Sequence, residues 1–413
     1  MSELLLQNAP RTWIRTTLGE LCRRGGGEVQ TGPFGSQLHA SDYVPVGVPT
    51  VMPTNIGDNR ILSDGIARVR VGDVERLARH CLSVGDIVYS RRGDVERRAL
   101  VREAEAGWLC GTGSLRVRVG TSADSSWLSY YLGHPEVRAW IVRHAVGATM
   151  PNLNSSILSA LPVVAPPTPE QQAIAEVLGA LDDKIGANRC VVRNASALLD
   201  TLFAAEIADV EPTPASAALE PVLGGTPARA NENYWGGEIP WASAKDVVGA
   251  TDGVLIETAE TISERGLKES PAKIVDCGTT LITARGTVGR LARTTLPATS
   301  FNQTCYALTP RGDLPQLLLY LAVRHALDQL SGLTHGTIFS TITKQTFDVL
   351  RLSLPPPGRR GPISASLDPI DHLVGALLRE SRQLSRLRDA LLPKLLSGEL
   401  RVRQAEDLVG GAV

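Results

Sequence analysis

From residue 168 the apolar positions fall on one stripe. Ile174, Leu178, Leu181, Ile185, Asn188, Val192, Ala195, Leu199 and Leu202 recur at alternating steps of four and three, interrupted by a single polar residue. That spacing is a heptad seam, and it predicts an amphipathic helix that needs a partner helix. Thr168, Pro169, Glu170 and Gln171 supply its start: a Thr-x-x-Gln capping box, with Pro where a missing N–H costs nothing. The helix is expected from Thr168 to about Phe203. A second stripe, Ile370, Val374, Leu377, Ser381, Leu384 and Leu391, predicts the partner. Asp368-Pro369 reads as its N-cap and first residue, Pro393 as a kink or end, and Gly398 as its stop. Residues 357–361 read as a loop ahead of it, and the polar chain from Arg401 onward as a frayed tail.

The two stripes are copies. Adding 189 to each number carries residues 147–203 onto 336–392 without a gap. Gly147, Leu161, Pro166, Pro167, Ile174, Leu178, Asp182, Gly186, Ala187, Arg193, Ser196, Leu198, Asp200 and Leu202 then meet identical residues, from Gly336 to Leu391. Self-similarity at a fixed period marks a repeat. Upstream of each helix the same plan recurs at an offset of 193, where VGDIVYSRRGDVER (84–97) is echoed by CGTTLITARGTVGR (277–290). Gly85, Arg92, Gly93, Val95 and Arg97 align there with Gly278, Arg285, Gly286, Val288 and Arg290. A strand ending in a tight Arg-Gly turn, its Gly at positive φ, is therefore expected twice.

Short strand-like runs at 48–52, 86–90, 99–102 and 115–119, turn-rich stretches at 25–27 and 31–36, and a helical pattern over 127–145 make residues 1–165 one mixed α/β domain. The Ala- and Pro-containing stretch 208–218 reads as a linker. The expected fold is α+β: two globular α/β domains joined by two long antiparallel coiled-coil helices, a pseudo-two-fold tandem repeat. Its boundaries are 1–165 for the first domain, 166–210 for the central helix, 211–357 for the second domain, and 358–413 for the C-terminal helix and tail. Helices of 30–35 residues are about 45–50 Å long. Packed antiparallel, they would place the domains at opposite ends of a dumbbell, an arrangement that suits DNA half-sites recurring about every 10 base pairs.

Composition narrows the function. With 413 residues, 43% apolar and 21% charged, the chain has room for two or three ordinary globular cores. Its apolar runs are too short to cross a bilayer, and the N-terminus lacks a basic region followed by an apolar core, so a cytoplasmic protein is expected. Six cysteines without a C-x-x-C pair favour free thiols over disulfides or zinc. The net charge of −1 does not announce a nucleic-acid binder, but it hides local bias. Residues 89–118 carry seven Arg against four acids, and residues 285–351 seven bases against three. No phosphate loop, Asn-Pro-Pro-aromatic methyltransferase motif, H-E-x-x-H pair or Cys/His cluster occurs, and the seven histidines are dispersed; no catalytic residue, metal or cofactor is expected. Asp182, Asp183 and Asp200 lie along the first helix, facing solvent or a partner.

The order TLGEL (17–21), TGPFGSQL (31–38), GVPTVMPTNI (47–56), GDIVYSRRG (85–93), LPVVAPPTPEQQAIAEVL (161–178), GGTPAR (224–229), NYWGGEIPWASAKD (233–246), ARGTVG (284–289) and ALLPKLLSGEL (390–400) resembles the DNA specificity subunit of type I restriction-modification systems. The resemblance covers nearly the whole chain. It implies that each globular part is a target-recognition domain reading one half of a bipartite double-stranded DNA sequence. It also implies that the helices set the spacing and dock methyltransferase (modification) subunits, two of them, with restriction (translocase/endonuclease) subunits joining through the complex. The second copy lacks Pro-Glu-Gln-Gln, so its docking surface is expected to differ.

Expected DNA contacts are polar residues capping strands or turns in corresponding places. They are Ser36, Gln37, Asn55, Arg91, Arg92 and Arg97 in the first half, and Lys245, Arg285, Arg290, Thr337 and Lys344 in the second. Two other classes compete with this reading: a coiled-coil scaffold that binds only protein, and an enzyme with an unrecognised site.

Overall fold

In a computed structural model of the chain, which describes residues 6–147, 151–333 and 340–410, the first stripe lies on a 40-residue helix, α1 (Thr168–Ile207). The second lies on a 41-residue helix, α2 (Pro357–Ser397). The seam residues of α1 from Ile174 to Leu199 are buried, Asn188 among them, whereas Leu202 is 40% exposed and Phe203 takes its place at 1%. A straight helix drifts relative to a strict heptad, and by the last turn the next residue faces the core.

Several local expectations fail. The capping box does not close: Gln171 is buried, its Nε2 donates to the Pro166 carbonyl at 2.8 Å, and its Oε1 accepts from the Asp124 N–H at 2.8 Å. The start of α1 is thereby tied to the cap of the helix Ser125–Tyr131. The second helix begins eleven residues before the expected Asp368 cap, because Pro357 is as good a first residue as Pro369. Residues 357–361 are accordingly helix and not loop, and the Asp368 carboxylate accepts from the Ser364 hydroxyl one turn back at 3.2 Å. Pro362 and Pro369 sit on the exposed face, where solvent reaches the freed carbonyls, and Pro393 does not end the helix. The tail folds too: Val402–Gly410 is helical and buries Ala405 and Val409 on one face.

Two units make up the chain, Met1–Lys184 with Leu384–Val413, and Ile185–Gln383, so the division falls inside both long helices. The first unit contains β1 (Glu28–Thr31), β2 (Tyr43–Val51), β3 (Asp58–Asn59), β4 (Arg68–Val69), β5 (Ile87–Ser90), β6 (Arg98–Leu100), β7 (Leu109–Cys110) and β8 (Ser114–Arg118). They form a five-stranded sheet, β1-β8-β5-β6-β3, and a three-stranded one, β4-β2-β7. Val51, Ile56, Leu82, Val88, Ala99 and Cys110 form one of its cores. The strand Ile14–Thr17 pairs antiparallel with Pro162–Ala165, which leads into α1.

The second unit repeats this order. Its strands are β9 (Leu219–Leu223), β10 (Trp235–Ala242), β11 (Val254–Leu255), β12 (Glu260–Ile262), β13 (Ile274–Asp276), β14 (Thr280–Thr283), β15 (Leu291–Thr294), β16 (Ala298–Phe301) and β17 (Cys305–Pro310). They form β9-β17-β14-β15-β11 and β12-β10-β16-β13. The register matches as well: β5 and β6 pair antiparallel as β14 and β15 do, and β3 adds parallel to β6 as β11 does to β15. The stretch read as a linker is packed: Thr213–Pro214 pairs with Arg351–Leu352, and Ala215 is fully buried.

Within the second unit α1 and α2 run antiparallel, since Asn188 Nδ2 donates to Glu380 at 2.8 Å while Arg359 pairs with Glu206 near the other end at 2.8 Å. Val192, Ala195, Val374 and Leu378 fill the seam between these contacts. Each unit then binds its helices to its sheet through a buried acid at the duplicated position. In the first, Asp182 accepts from the Tyr130 hydroxyl at 2.8 Å and from Arg388 at 2.6 Å, and Asp58 on β3 receives Arg388 at 3.4 Å and Arg98 at 3.5 Å. In the second, Asp371 pairs with Arg293 of β15, and Asp200 pairs with Arg324, which also reaches the Tyr320 hydroxyl at 3.2 Å. The acids expected to face solvent or a partner are therefore partly spent inside their own unit.

Burial pushes the Asp371 carboxyl above its usual range, and the Arg293 guanidinium pulls it back only in part. A pair in which desolvation outweighs attraction contributes little net stability, yet losing one partner strands the other. Arg293→Met alone is expected to destabilise the full chain by about 3–5 kcal/mol, and Arg293→Met with Asp371→Leu to recover most of that loss. Urea midpoints measure both. Equal destabilisation by the single and double variants would contradict this account of the junction.

Candidate nucleic-acid interface

The duplicated Arg-Gly turns are built from short-range backbone constraints. In the first unit β5 ends at Ser90, whose hydroxyl donates to the Arg92 carbonyl at 2.9 Å, and Gly93 takes φ +73°, a conformation costly for other residues. The turn is clamped from both sides: the Arg91 N–H donates to Gly113 O at 2.9 Å, and its carbonyl accepts from the Leu153 N–H at 2.8 Å. In the second unit Gly286 takes φ +78°, and the Ala284 carbonyl accepts from the Ile342 N–H at 3.0 Å. Leu153 and Ile342 are 189 apart, and Arg91 and Ala284 are 193 apart, so both offsets meet in one repeated contact.

The nominated residues of the first unit separate into three groups. Arg91, Arg92, Ser36 and Gln37 lie on two neighbouring loops, joined by the Arg91 guanidinium standing 5.8 Å from the centre of the Phe34 ring. Ser36 and Arg92 are exposed, and the Gln37 carboxamide oxygen holds its loop by accepting from the Phe34 N–H at 3.1 Å. Arg97 pairs with Asp94 at 2.8 Å with both side chains about half exposed, an arrangement of small net value that a phosphate can displace. Asn55 departs from expectation. It is buried, its Oδ1 accepts from the Met52 N–H at 3.1 Å, and its Nδ2 donates to Leu62 O at 3.2 Å, so its amide is spent on holding its own turn.

In the second unit Arg285 and Arg290 are both exposed at the turn, and Lys344 is exposed on the loop whose Thr341 hydroxyl donates to Ala284 O at 3.0 Å. Lys245 is exposed on a separate short helix, Ala244–Gly249, capped by Ser243. Thr337 lies outside the described residues.

Two side-chain constellations escape the sequence reading. Phe34, 52% exposed, stands in the middle of TGPFGSQL, where an aromatic flanked by Gly and Pro in a turn is the available signal. Arg229 lies 3.8 Å over the Trp235 ring and 5.0 Å from Trp241 and pairs with Glu260, so the GGTPAR and NYWGGEIPW motifs fold onto each other. No spacing rule links those positions along the chain.

Among the described residues no group of three or more His, Cys, Asp or Glu is placed to hold a metal ion. Burial pushes the Cys22, Cys110 and Cys305 thiols up to about 12, which keeps them protonated. No helix among the described residues is long and apolar enough to cross a membrane.

Comparison with known proteins bears on both halves. The sequence model described as the type I restriction modification DNA specificity domain matches residues 85–190 and 221–383. A putative type I restriction enzyme MjaX specificity subunit of Methanocaldococcus jannaschii is 22% identical over 386 residues, covering 87% of this chain and 88% of that one. The type I restriction enzyme MjaIX specificity subunit of the same organism is 26% identical over 166 residues, which span 40% of this chain and 38% of the relative's own length. The fold resembles that of the crystal structure of a type I restriction-modification system S subunit from M. genitalium, with a TM-score of 0.60 at 15% identity and coverage of 94% and 96% of the two chains.

Asn55→Ala removes both internal bonds of a buried amide and is expected to lower stability by about 1–3 kcal/mol, leaving DNA affinity unchanged well below the melting temperature. Calorimetry and a binding assay on the assembled complex check this. A large loss of affinity at unchanged stability would return Asn55 to the contact surface.

Proposed function

This chain belongs to the type I restriction modification DNA specificity family, and from that premise we propose that it reads a bipartite double-stranded DNA target, one half through each globular part. Residues 1–165 and 211–357 are the two target-recognition domains in this reading, and 166–210 and 358–413 are the helices that set their spacing and dock two methyltransferase subunits. Restriction subunits join through that complex. The chain itself carries no catalytic residue, needs no cofactor and works in the cytoplasm.

The observation that carries the reading is the repeated exposed Arg-Gly turn. Arg92 and Arg285 occupy the same place at the end of the same strand of the same sheet, in two copies of one design. Exposed arginines at equivalent turns suit phosphate oxygens and guanine edges, which take the planar guanidinium fork in a bidentate way. The other nominated contacts, Ser36, Gln37, Arg97, Lys245, Arg290, Thr337 and Lys344, are proposed to complete the two surfaces. A scaffold that binds only protein has no use for two such turns, and its prediction is distinct: the assembled complex would show no salt-sensitive affinity for DNA.

The ruler role is tested by inserting four residues after Ala187. The insertion lengthens α1 by about 6 Å and rotates the distal part of the helix by roughly 40°, and a seam absorbs four extra residues as a stutter. With base pairs about 3.4 Å apart, the non-specific spacer in the recognised sequence is expected to grow by about one or two base pairs, with both half-sites kept. Sequencing of the sites methylated by the mutant complex reads this directly. An active complex with an unchanged spacer would remove the ruler and leave the helices as docking surfaces.

A further inference from the structure

We propose that Phe34 and Arg91 form a preassembled reading pair that recognises a guanine next to a thymine in the first half-site, a contact the second domain lacks. The proposal rests on the DNA-reading function above and deepens it.

Repetition separates shared from private residues. Arg92 recurs as Arg285, but the position of Arg91 holds Ala284 in the second unit, buried at 3% exposure. The strand registers place Phe34 the same way: Thr31 and Leu223 occupy equivalent ends of β1 and β9, opposite Leu115 and Tyr306, so three residues on Phe34 corresponds to Thr226. Thr226 is turned to Gln303 by a hydrogen bond. A contact needed by both domains, such as one to phosphate, would be kept in both copies. One present in a single copy suits the sequence of a single half-site.

The pair is also built for recognition. Both backbones are pinned: Arg91 by Gly113 and Leu153, and Phe34 by Gln37, whose N–H returns a 2.8 Å bond to the Phe34 carbonyl. The side chains are uncommitted. Among the described residues no acceptor takes a hydrogen bond from the Arg91 guanidinium, and its buried Nε has no partner. The Oδ1 of Asn152, beside the clamping Leu153, is likewise buried without one. An arginine standing over an aromatic ring, 5.8 Å from its centre, loses little freedom on binding, and among the described residues its outer nitrogens have no partner to give up. Those nitrogens match guanine O6 and N7, and a half-exposed phenyl beside them fits the thymine methyl group.

The test uses the complex assembled with methyltransferase subunits. Methylated sites are mapped by single-molecule sequencing, and DNA affinity is measured against salt, for Arg91→Ala, Arg91→Lys, Phe34→Leu and the unaltered chain. Arg91→Ala is expected to lower affinity for the cognate site about ten- to a hundred-fold and to admit other bases at one G·C position of one half-site, with the other half unchanged. Arg91→Lys, which keeps the charge and loses the fork, relaxes the same position, and Phe34→Leu weakens the preference at the neighbouring thymine. Uniform weakening of all sequences with specificity intact and a salt slope lower by about one would make Arg91 a phosphate contact and overturn the proposal, as would no change at all. Absence of salt-sensitive DNA binding by the unaltered complex would instead refute the DNA-reading function, and this pair with it.

Discussion

The fold of each unit turns on a buried carboxylate that the duplication placed in the same register of each long helix. Asp182 and Asp371 are 189 residues apart, and both are buried, at 3% and 7% exposure. Neither is left without a cation, but the cations come from different elements: Arg388 of α2 in the first unit, Arg293 of β15 in the second. A buried acid demands a partner wherever one can be supplied, and the two halves met that demand separately. Such a pair adds little net stability and fixes much geometry, because sliding a helix against its sheet by one turn would strand both charges. The polar Asn188 within an otherwise apolar seam acts the same way on the helix pair, its bond to Glu380 being available in one register only.

This arrangement explains how domains with different surfaces share one frame. The five-stranded sheets have the same strand order and the same parallel edge strand, and the Arg-Gly turns leave them at the same point. What changes between copies is what the turns and neighbouring loops carry: Arg91 beside Phe34 in one, and Ala284 with Thr226 in the other. Phe34, Arg92 and Arg285 are exposed, so substitution there costs the fold little, whereas Ala284 is buried within its unit's core.

Much of this is legible in the sequence because periodicity and repetition report directly on packing. The seam of α1 is readable to within its last turn, and the offset of 193 locates both turns and their positive-φ glycines. Legibility fails where a residue type has two equally good local uses. Pro369 after Asp368 looks like a helix start, but Pro357 serves as well and lies earlier. Gln171 fits a capping box, yet its amide is taken by Pro166 and Asp124, a partner 47 residues away that no local pattern announces. Asn55 resembles a surface contact because Asn caps turns, and it does so here with both ends of its amide facing inward. The tail reads as frayed because nine residues give too short a window to show that Val402, Ala405 and Val409 share a face. Sheet order and the Arg229–Trp235 stack depend on contacts between distant segments, which only the fold brings together.

If each globular part reads its own half-site, the two are exchangeable one at a time. The most direct measurement replaces residues 1–165 with the corresponding domain of a relative, assembles the chimaera with methyltransferase subunits, and sequences the sites it methylates. One half of the recognised sequence is expected to change, while the other half and the spacer between them stay as they were. A chimaera that remains active and alters both halves together would contradict it.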